Sequence, residues 1–235
     1  MNLSHLRTTN RKALALTIVA ISIVGVAGIA ATLGTVMAAS RNPKSSAHAF
    51  HDQMRKLWED HITWTRLVIV SVLQGLPDTG PTVQRLLQNQ VDIGNAVKPF
   101  YADAAGNQLT ALLHDHITIA AEILVAARAG NTTALDDALF RWYANANSIA
   151  VFLNSANPKN WPLDAVKAAL KTHLDLTLGE AETYLKANYT GSTSFYDQVH
   201  LQILGLSDTL SSGIIVQFHR QFTGTADQDG PENKD

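Results

Sequence analysis

Three segments about 55 residues apart share one pattern centred on a histidine, and this recurrence limits the possible folds more than any other feature. The segments are LWEDHIT with His61, LLHDHIT with His116 and LKTHLDL with His173. Each is followed by an apolar helical pattern, a turn rich in small residues and a second helical pattern. A single unit of this kind cannot bury its own apolar stripe, so the recurrence predicts several units packed around one core.

The helical pattern begins at Phe50 and is interrupted five times, at residues 75–81, 101–106, 129–132, 157–162 and 189–194. Suitable N-cap residues stand at three of these breaks: Asp78, Thr79 and Thr82; Asn131 and Thr132; Ser192 and Ser194. No stretch alternates with a period of two, so strands are not expected. The sequence predicts an all-α fold, a six-helix bundle of three repeated αα-hairpins. A four-helix core with an extra docked hairpin is the main alternative.

A long uncharged run precedes the body. Arg7, Arg11 and Lys12 stand before an apolar segment, residues 13–40, that is long enough to cross a hydrocarbon core of ~30 Å. The position of the charges predicts that residues 1–12 are cytoplasmic and that everything after the apolar segment is extracytoplasmic. The small residues at Ala38 and Ala39 also suit a signal peptidase, so the alternative is a secreted protein cleaved near them.

The remaining chain divides into three parts. Residues 41–46 are expected to form a polar linker, residues 47–222 the helical-bundle domain, and residues 223–235, which lack apolar periodicity, a disordered tail. Hydrophobic residues make up 46% of the chain and charged residues 16%, which favours a well-filled core.

Composition excludes several functional classes. The net charge is −2 and no basic run is interleaved with aromatic residues, so a nucleic-acid partner is not expected. The chain has no cysteine, which excludes disulfides and thiolate metal sites. Phosphate-binding loops, nucleophile elbows and zincin motifs are missing from the sequence as well. Nothing in the pattern diagnoses an enzyme.

The repeated histidines lie on the apolar stripes of their helices, because leucines or a tryptophan precede each one by three or four positions. A buried imidazole needs a hydrogen-bond partner or a metal. The second helix of each unit offers a polar residue in rough register: Asn95, Asn147 and Asp208. These three residues are the expected partners.

Two interpretations of the histidines remain open. In the first, each pair is a local hydrogen bond that fixes the register of its own hairpin. In the second, His61, His116 and His173 meet on one axis and hold a divalent metal such as zinc, with one coordination position left for water or a ligand. Trp64, Arg66 and His200 are secondary candidates, and Arg66 is suited to stacking on an aromatic ring or holding an anion.

Longer stretches of the body resemble a family of small exported all-helical bacterial proteins. These stretches are LWEDHITWTRLVIVS (57–71), LLQNQVDIGNAVKPFY (86–101), WYANANSIAVFL (142–153), HLDLT (173–177) and YDQVHLQILGLSDTLSSGIIVQF (196–218), and the H-x-T-W-T-R element is the most specific. Some members carry names such as glycosyltransferase or acetylglutamate kinase. Those names imply α/β nucleotide-binding folds, whereas the pattern here is helical throughout. The resemblance supports the domain limits and implies no catalytic residue.

Three functions are compatible with these features. The first is a membrane-anchored extracytoplasmic protein that binds a metal ion or small ligand in a polar core site. The second is a structural or interaction module of the cell envelope, with an envelope protein as its partner and no ligand. The third is a metal-dependent enzyme that uses the open coordination position.

Overall fold

A computed structural model describes residues 43–223, which form six helices and, within this range, no strand. The helices are α1 (Pro43–Gln74), α2 (Thr79–Ala129), α3 (Thr132–Ala156), α4 (Leu163–Leu185), α5 (Tyr189–Gln217) and α6 (His219–Thr223). The predicted all-α class is therefore confirmed. The expected cytoplasmic segment 1–12, the apolar segment 13–40 and the tail beyond residue 223 lie outside the described residues.

Helix α2 contains the break expected at residues 101–106. Ala102 has φ 67° and ψ 168°, a conformation outside the helical region. Beyond it the helix folds back. Gly94 and Gly106 then face each other so closely that a Cβ on Gly94 would lie 2.6 Å from the Gly106 carbonyl oxygen. The arms of α2, residues 79–101 and 103–129, therefore pack side by side.

The chain thus forms three antiparallel helix pairs. Helix α1 contacts the first arm of α2, where Asn89 donates to the Leu57 carbonyl, and the second arm contacts α3, where Asn145 donates to the Leu112 carbonyl. Helix α4 packs on α5. Contacts between α1 and α5 and between α3 and α4 close the bundle. Its largest core cluster includes the fully buried residues Met54, Ile93, Leu174 and Ile203.

Two helix boundaries lie elsewhere than expected. Helix α1 begins at Pro43, inside the expected linker 41–46, and proline is well suited to the first turn of a helix. The last break precedes residues 189–194, because the Asn188 side chain accepts a hydrogen bond from the Gly191 N–H (3.0 Å) and so begins α5 at Tyr189. Ser192 and Ser194, expected as caps, consequently lie within α5.

The break at 129–132 has the predicted chemistry. Gly130 has a φ of 65° and ends α2, and the Asn131 side chain accepts a hydrogen bond from the Ala134 N–H at 3.1 Å.

Two of the described helices, α2 and α5, are long and apolar enough to cross a membrane by length and composition. Both contribute buried residues to the bundle core, and core helices of soluble proteins meet the same criterion. They are therefore only a weak indication of membrane association.

Candidate functional site: three buried imidazoles

The three repeated histidines line one internal cavity. His61, His116 and His173 are 3%, 6% and 6% exposed, and all three border a cavity of about 40 Å³ whose other walls are apolar or aromatic. The rings of His61 and His173 lie 5.8 Å apart, centroid to centroid. The packing of the helix pairs therefore brings together residues that are 55 and more positions apart in the sequence.

Each imidazole meets a side-chain amide from the second helix of its own pair. The Nδ1 atom of His116 lies 2.9 Å from Asn145 Oδ1, and that of His173 lies 3.0 Å from Gln202 Oε1. In the first pair, His61 Nδ1 lies 3.3 Å from Gln90 Nε2. In every case the amide residue follows the histidine by 29 positions.

A second hydrogen bond fixes the orientation of these amides. Asn145 Nδ2 donates to the Leu112 carbonyl, and Gln202 Nε2 donates to the Ala169 carbonyl, both at 3.0 Å. Each carbonyl belongs to the residue four positions before the histidine. In the first pair this bond comes from a neighbour of Gln90, since Asn89 Nδ2 donates to the Leu57 carbonyl at 3.0 Å.

The expected partners Asn95, Asn147 and Asp208 were wrong. Asn95 and Asn147 are exposed, on the opposite side of their helices from the cavity. Asp208 lies at the surface, where both of its carboxylate oxygens accept hydrogen bonds from Arg55 at 2.7 Å and His51 Nε2 lies 3.0 Å from Oδ1. The expected residues lie five, two and six positions beyond the true amides, each of which follows its histidine by 29 positions.

Burial keeps the imidazoles neutral. Loss of solvation lowers the pKa of His116 and of His173 to about 4, although hydrogen bonds to Asn145 and Gln202 oppose the shift. The pKa of His61 is lowered well below its usual value, first by burial and then by repulsion from His173 and His116. All three rings therefore carry a single ring proton at neutral pH.

Aromatic side chains hold two of the rings. Trp142 stacks on His116 with centroids 5.1 Å apart and donates its indole N–H to the His116 carbonyl at 3.1 Å. Trp58 packs edge-on against His61 at 5.6 Å and borders the cavity. The indole Nε1 of Trp58 is buried and has no hydrogen-bond partner among the described protein atoms.

The secondary candidates lie outside this cavity. Arg66 donates to Glu180 Oε1 at 2.9 Å and to the Ser192 hydroxyl, and its guanidinium lies 5.3 Å from the centre of the Tyr184 ring. Arg66 therefore contacts an aromatic ring and an acidic side chain of this protein. Burial raises the pKa of Glu180 to about 7, while the hydrogen bond from Arg66 opposes that shift.

Trp64 and His200 make contacts between helices away from the cavity. The Arg85 guanidinium lies 5.1 Å from the centre of the Trp64 ring. His200 Nε2 lies 2.9 Å from Glu59 Oε1, and its ring stacks on Tyr196. Neither side chain borders the imidazole cavity.

Within residues 43–223, no group of three His, Asp or Glu side chains is arranged to hold a metal ion. The three imidazoles share the cavity without converging on a single coordination point. The zinc site, one of the two interpretations that the sequence left open, therefore has no ready-made geometry in this part of the chain.

Removing an amide that contacts a histidine should lower the free energy of unfolding far more than removing a nearby exposed amide. We expect Asn145→Ala to lower the free energy of unfolding by about 1–3 kcal/mol, because it leaves the buried His116 ring N–H without a partner and removes the side-chain hydrogen bond to the Leu112 carbonyl. Asn147→Ala, two residues away on the exposed side, should change it by less than about 0.5 kcal/mol. Urea unfolding of both variants tests this, and equal losses would contradict the assigned contacts.

No protein-family model, curated protein or solved structure matches this chain.

Proposed function

We propose that this chain is a membrane-anchored extracytoplasmic helical-bundle protein that binds a small ligand between His61, His116 and His173. The observation that carries the proposal is the shared cavity, in which each imidazole is held by an amide at the same sequence spacing. Amides that fix the Nδ1 side of a ring leave Nε2 as the nitrogen that is free to meet a ligand.

The same contacts support an internal threefold repeat. Each helix pair supplies one histidine from its first helix, one amide from its second helix and one carbonyl four residues before the histidine. If the three hairpins close around one core, their equivalent side chains face a common axis. The ligand site would then lie on that axis.

The proposed activity is binding rather than catalysis. Apart from the imidazoles, the cavity is lined by aliphatic residues, Trp58 and Trp161. This lining offers neither a nucleophile nor a carboxylate to work with a histidine. The cavity volume of about 40 Å³ also limits the ligand to a few non-hydrogen atoms.

The second candidate is a structural or interaction module of the envelope that needs no ligand. It is favoured by the fact that every histidine–amide contact lies within a single helix pair, where it can fix register by itself. The two candidates differ in whether the imidazoles depend on one another.

Coupling between histidine substitutions distinguishes them. If one ligand contacts His116 and His173, the first Ala substitution already empties the site, so the double variant should lose less stability than the sum of the single variants, by more than about 1 kcal/mol. If the histidine–amide pairs are independent, the stability loss of the double variant should equal the sum of the two single losses to within about 0.5 kcal/mol. His114→Ala, at an exposed neighbour, should add to His173→Ala and serves as the control. Additive losses for His116 and His173 would favour the structural candidate.

The proposed location rests on the charges ahead of residues 13–40. Because Arg7, Arg11 and Lys12 should stay in the cytoplasm, we expect protease added to intact protoplasts to digest the helical body. A cytoplasmic protein in the same cells should survive as the control. Protection of the body until the membrane is permeabilised would contradict the proposed topology.

A further inference from the structure

The link between the two arms of α2 differs from the turns that follow α1 and α2. Gly75 and Gly130 stand at those turns with φ values of 66° and 65°, which glycine adopts without steric cost. At the link, the residue with positive φ is Ala102, at φ 67° and ψ 168°. Because this backbone region is essentially restricted to glycine, Ala102 is strained.

The sequence around Ala102 favours a straight helix instead. Every other residue between Thr79 and Ala129 has helical backbone angles, and Ala102 is followed by Asp103, Ala104 and Ala105. Alanine has the highest intrinsic helix propensity. The local preference of the chain and the turn that it makes are therefore in conflict at this point.

Packing between the two arms holds the turn closed. Gly94 lies against Gly106, and the Thr110 hydroxyl lies 3.5 Å from the Gln90 carbonyl oxygen. These contacts need one first arm and one second arm, but they do not need both arms to belong to the same chain. A second copy of the protein offers the same two surfaces.

Ala102 also lies at the boundary of a complete structural unit. Residues 43–101 form the first helix pair, and residues 103–223 contain the other two pairs. Between these parts the link consists of one exposed, non-helical residue. A short strained hinge between packed units favours the exchange of a unit between two copies, and repeat proteins are prone to such exchange.

We propose that this chain exchanges its first helix pair, residues 43–101, with a second copy of itself, and that Ala102 is the hinge. In the exchanged dimer Ala102 is helical, and α2 becomes one helix of 51 residues, about 75 Å long. The first arm of each copy then packs on the second arm of the other. Both hinges lose their strain, while each bundle keeps its packing. The exchange does not depend on a ligand in the imidazole cavity.

The exchange divides the contacts of each bundle between two chains. Glu59 of α1 lies 2.9 Å from His200 of α5, and in the exchanged dimer this contact joins different copies. His61 also belongs to the exchanged pair. Each imidazole cavity then combines His61 of one copy with His116 and His173 of the other.

Cross-linking between single-cysteine variants detects the exchange, because the natural chain has no cysteine. Glu59→Cys and His200→Cys, both full length in detergent, are mixed in urea, refolded together and treated with a short thiol-to-thiol cross-linker. We expect cross-links between the two variants in the dimer fraction, which should grow with protein concentration. The double variant should cross-link within one chain in the monomer fraction. Asn147→Cys, exposed on α3, should not cross-link to Glu59→Cys and is the control.

Two matched glycine variants test the hinge. Ala102→Gly removes the strain of the closed turn and lowers the helix propensity of the open form, so it should raise the dissociation constant of the dimer at least ~100-fold. Ala104 is exposed and helical in both forms, so Ala104→Gly should change that constant by less than ~3-fold. Sedimentation equilibrium of the full-length chain in detergent measures both values.

Three results would overturn the proposal. The first is a chain that stays monomeric at every concentration. The second is a dimer in which Glu59→Cys and His200→Cys cross-link only within chains that carry both, as association through residues 13–40 alone would give. The third is an Ala102→Gly variant that dimerises as strongly as the natural chain.

Discussion

Acidification from about pH 7 to about pH 4 should destabilise this protein by several kcal/mol. The pKa values of His116 and His173 are lowered to about 4 in the folded state, below the usual 6.5 of an unfolded chain. Stability from a lowered pKa is complete above the unfolded value and is lost as the pH falls through the folded value. The free energy of unfolding should therefore fall by about 3 kcal/mol for each of these rings across this interval. His61 acts in the same direction.

Glu180 opposes this effect. Its pKa is raised to about 7, so the folded state takes up a proton before the unfolded state does, and the protein gains stability as the pH falls from about 7 to about 4.5. This gain of about 3 kcal/mol offsets the loss of stability that one of the two histidines causes. The net loss on acidification should still be about 3 kcal/mol before His61 is counted.

Urea unfolding at a series of pH values measures this balance. The double variant His116→Gln, His173→Gln should lose most of the acid sensitivity of the natural protein, whereas His114→Gln, at an exposed position, should retain it. A free energy of unfolding that stays constant between about pH 7 and about pH 4 in the natural protein would contradict neutral burial of the imidazoles.

Gly94→Ala should be the most disruptive small substitution in the bundle. The added Cβ would lie 2.6 Å from the Gly106 carbonyl oxygen and closer still to the Thr110 hydroxyl. The side chain can rotate, but the carbonyl belongs to the facing arm of α2. The arms must therefore separate, and we expect a loss of about 3 kcal/mol in the free energy of unfolding.

Gly80→Ala is the matched control. No atom lies within 4 Å of the Cβ position at Gly80, and alanine favours the helix, so this variant should be stabilised by up to about 1 kcal/mol. Thermal and urea unfolding of both variants give the comparison. A Gly94→Ala variant as stable as the natural protein would show that the two arms of α2 do not pack as closely as described.

The helical architecture was predictable because it depends on local chemistry. Apolar spacing marks the helices, and the turn at 129–132 has the expected Asn131 cap and the Gly130 end. The last turn was misplaced because Ser192 and Ser194 suit a cap as well as Asn188 does. Only the packed structure shows that Ser192 is buried against Arg66 and Glu180.

The histidines and their partners show a different limit. The sequence predicted three core-facing imidazoles because each lies on the apolar stripe of a single helix. Their partners depend on how two helices align, and Asn145 and Asn147 differ by only two residues while facing opposite sides. The periodicity within one helix does not show how that helix aligns with its neighbour. The equal spacing of 29 residues from each histidine to Gln90, Asn145 or Gln202 does reflect that alignment.

Nuclear Overhauser contacts between ring protons test most directly whether the repeated imidazoles share one cavity. We expect cross-peaks between the rings of His61 and His173, whose centroids lie 5.8 Å apart, and from both rings to the methyl groups of the shared cavity wall, such as Ile203. Each ring should also show contacts to the amide 29 residues later. Contacts to the three amides without any between His61 and His173 would contradict a shared cavity and leave three separate register-setting pairs.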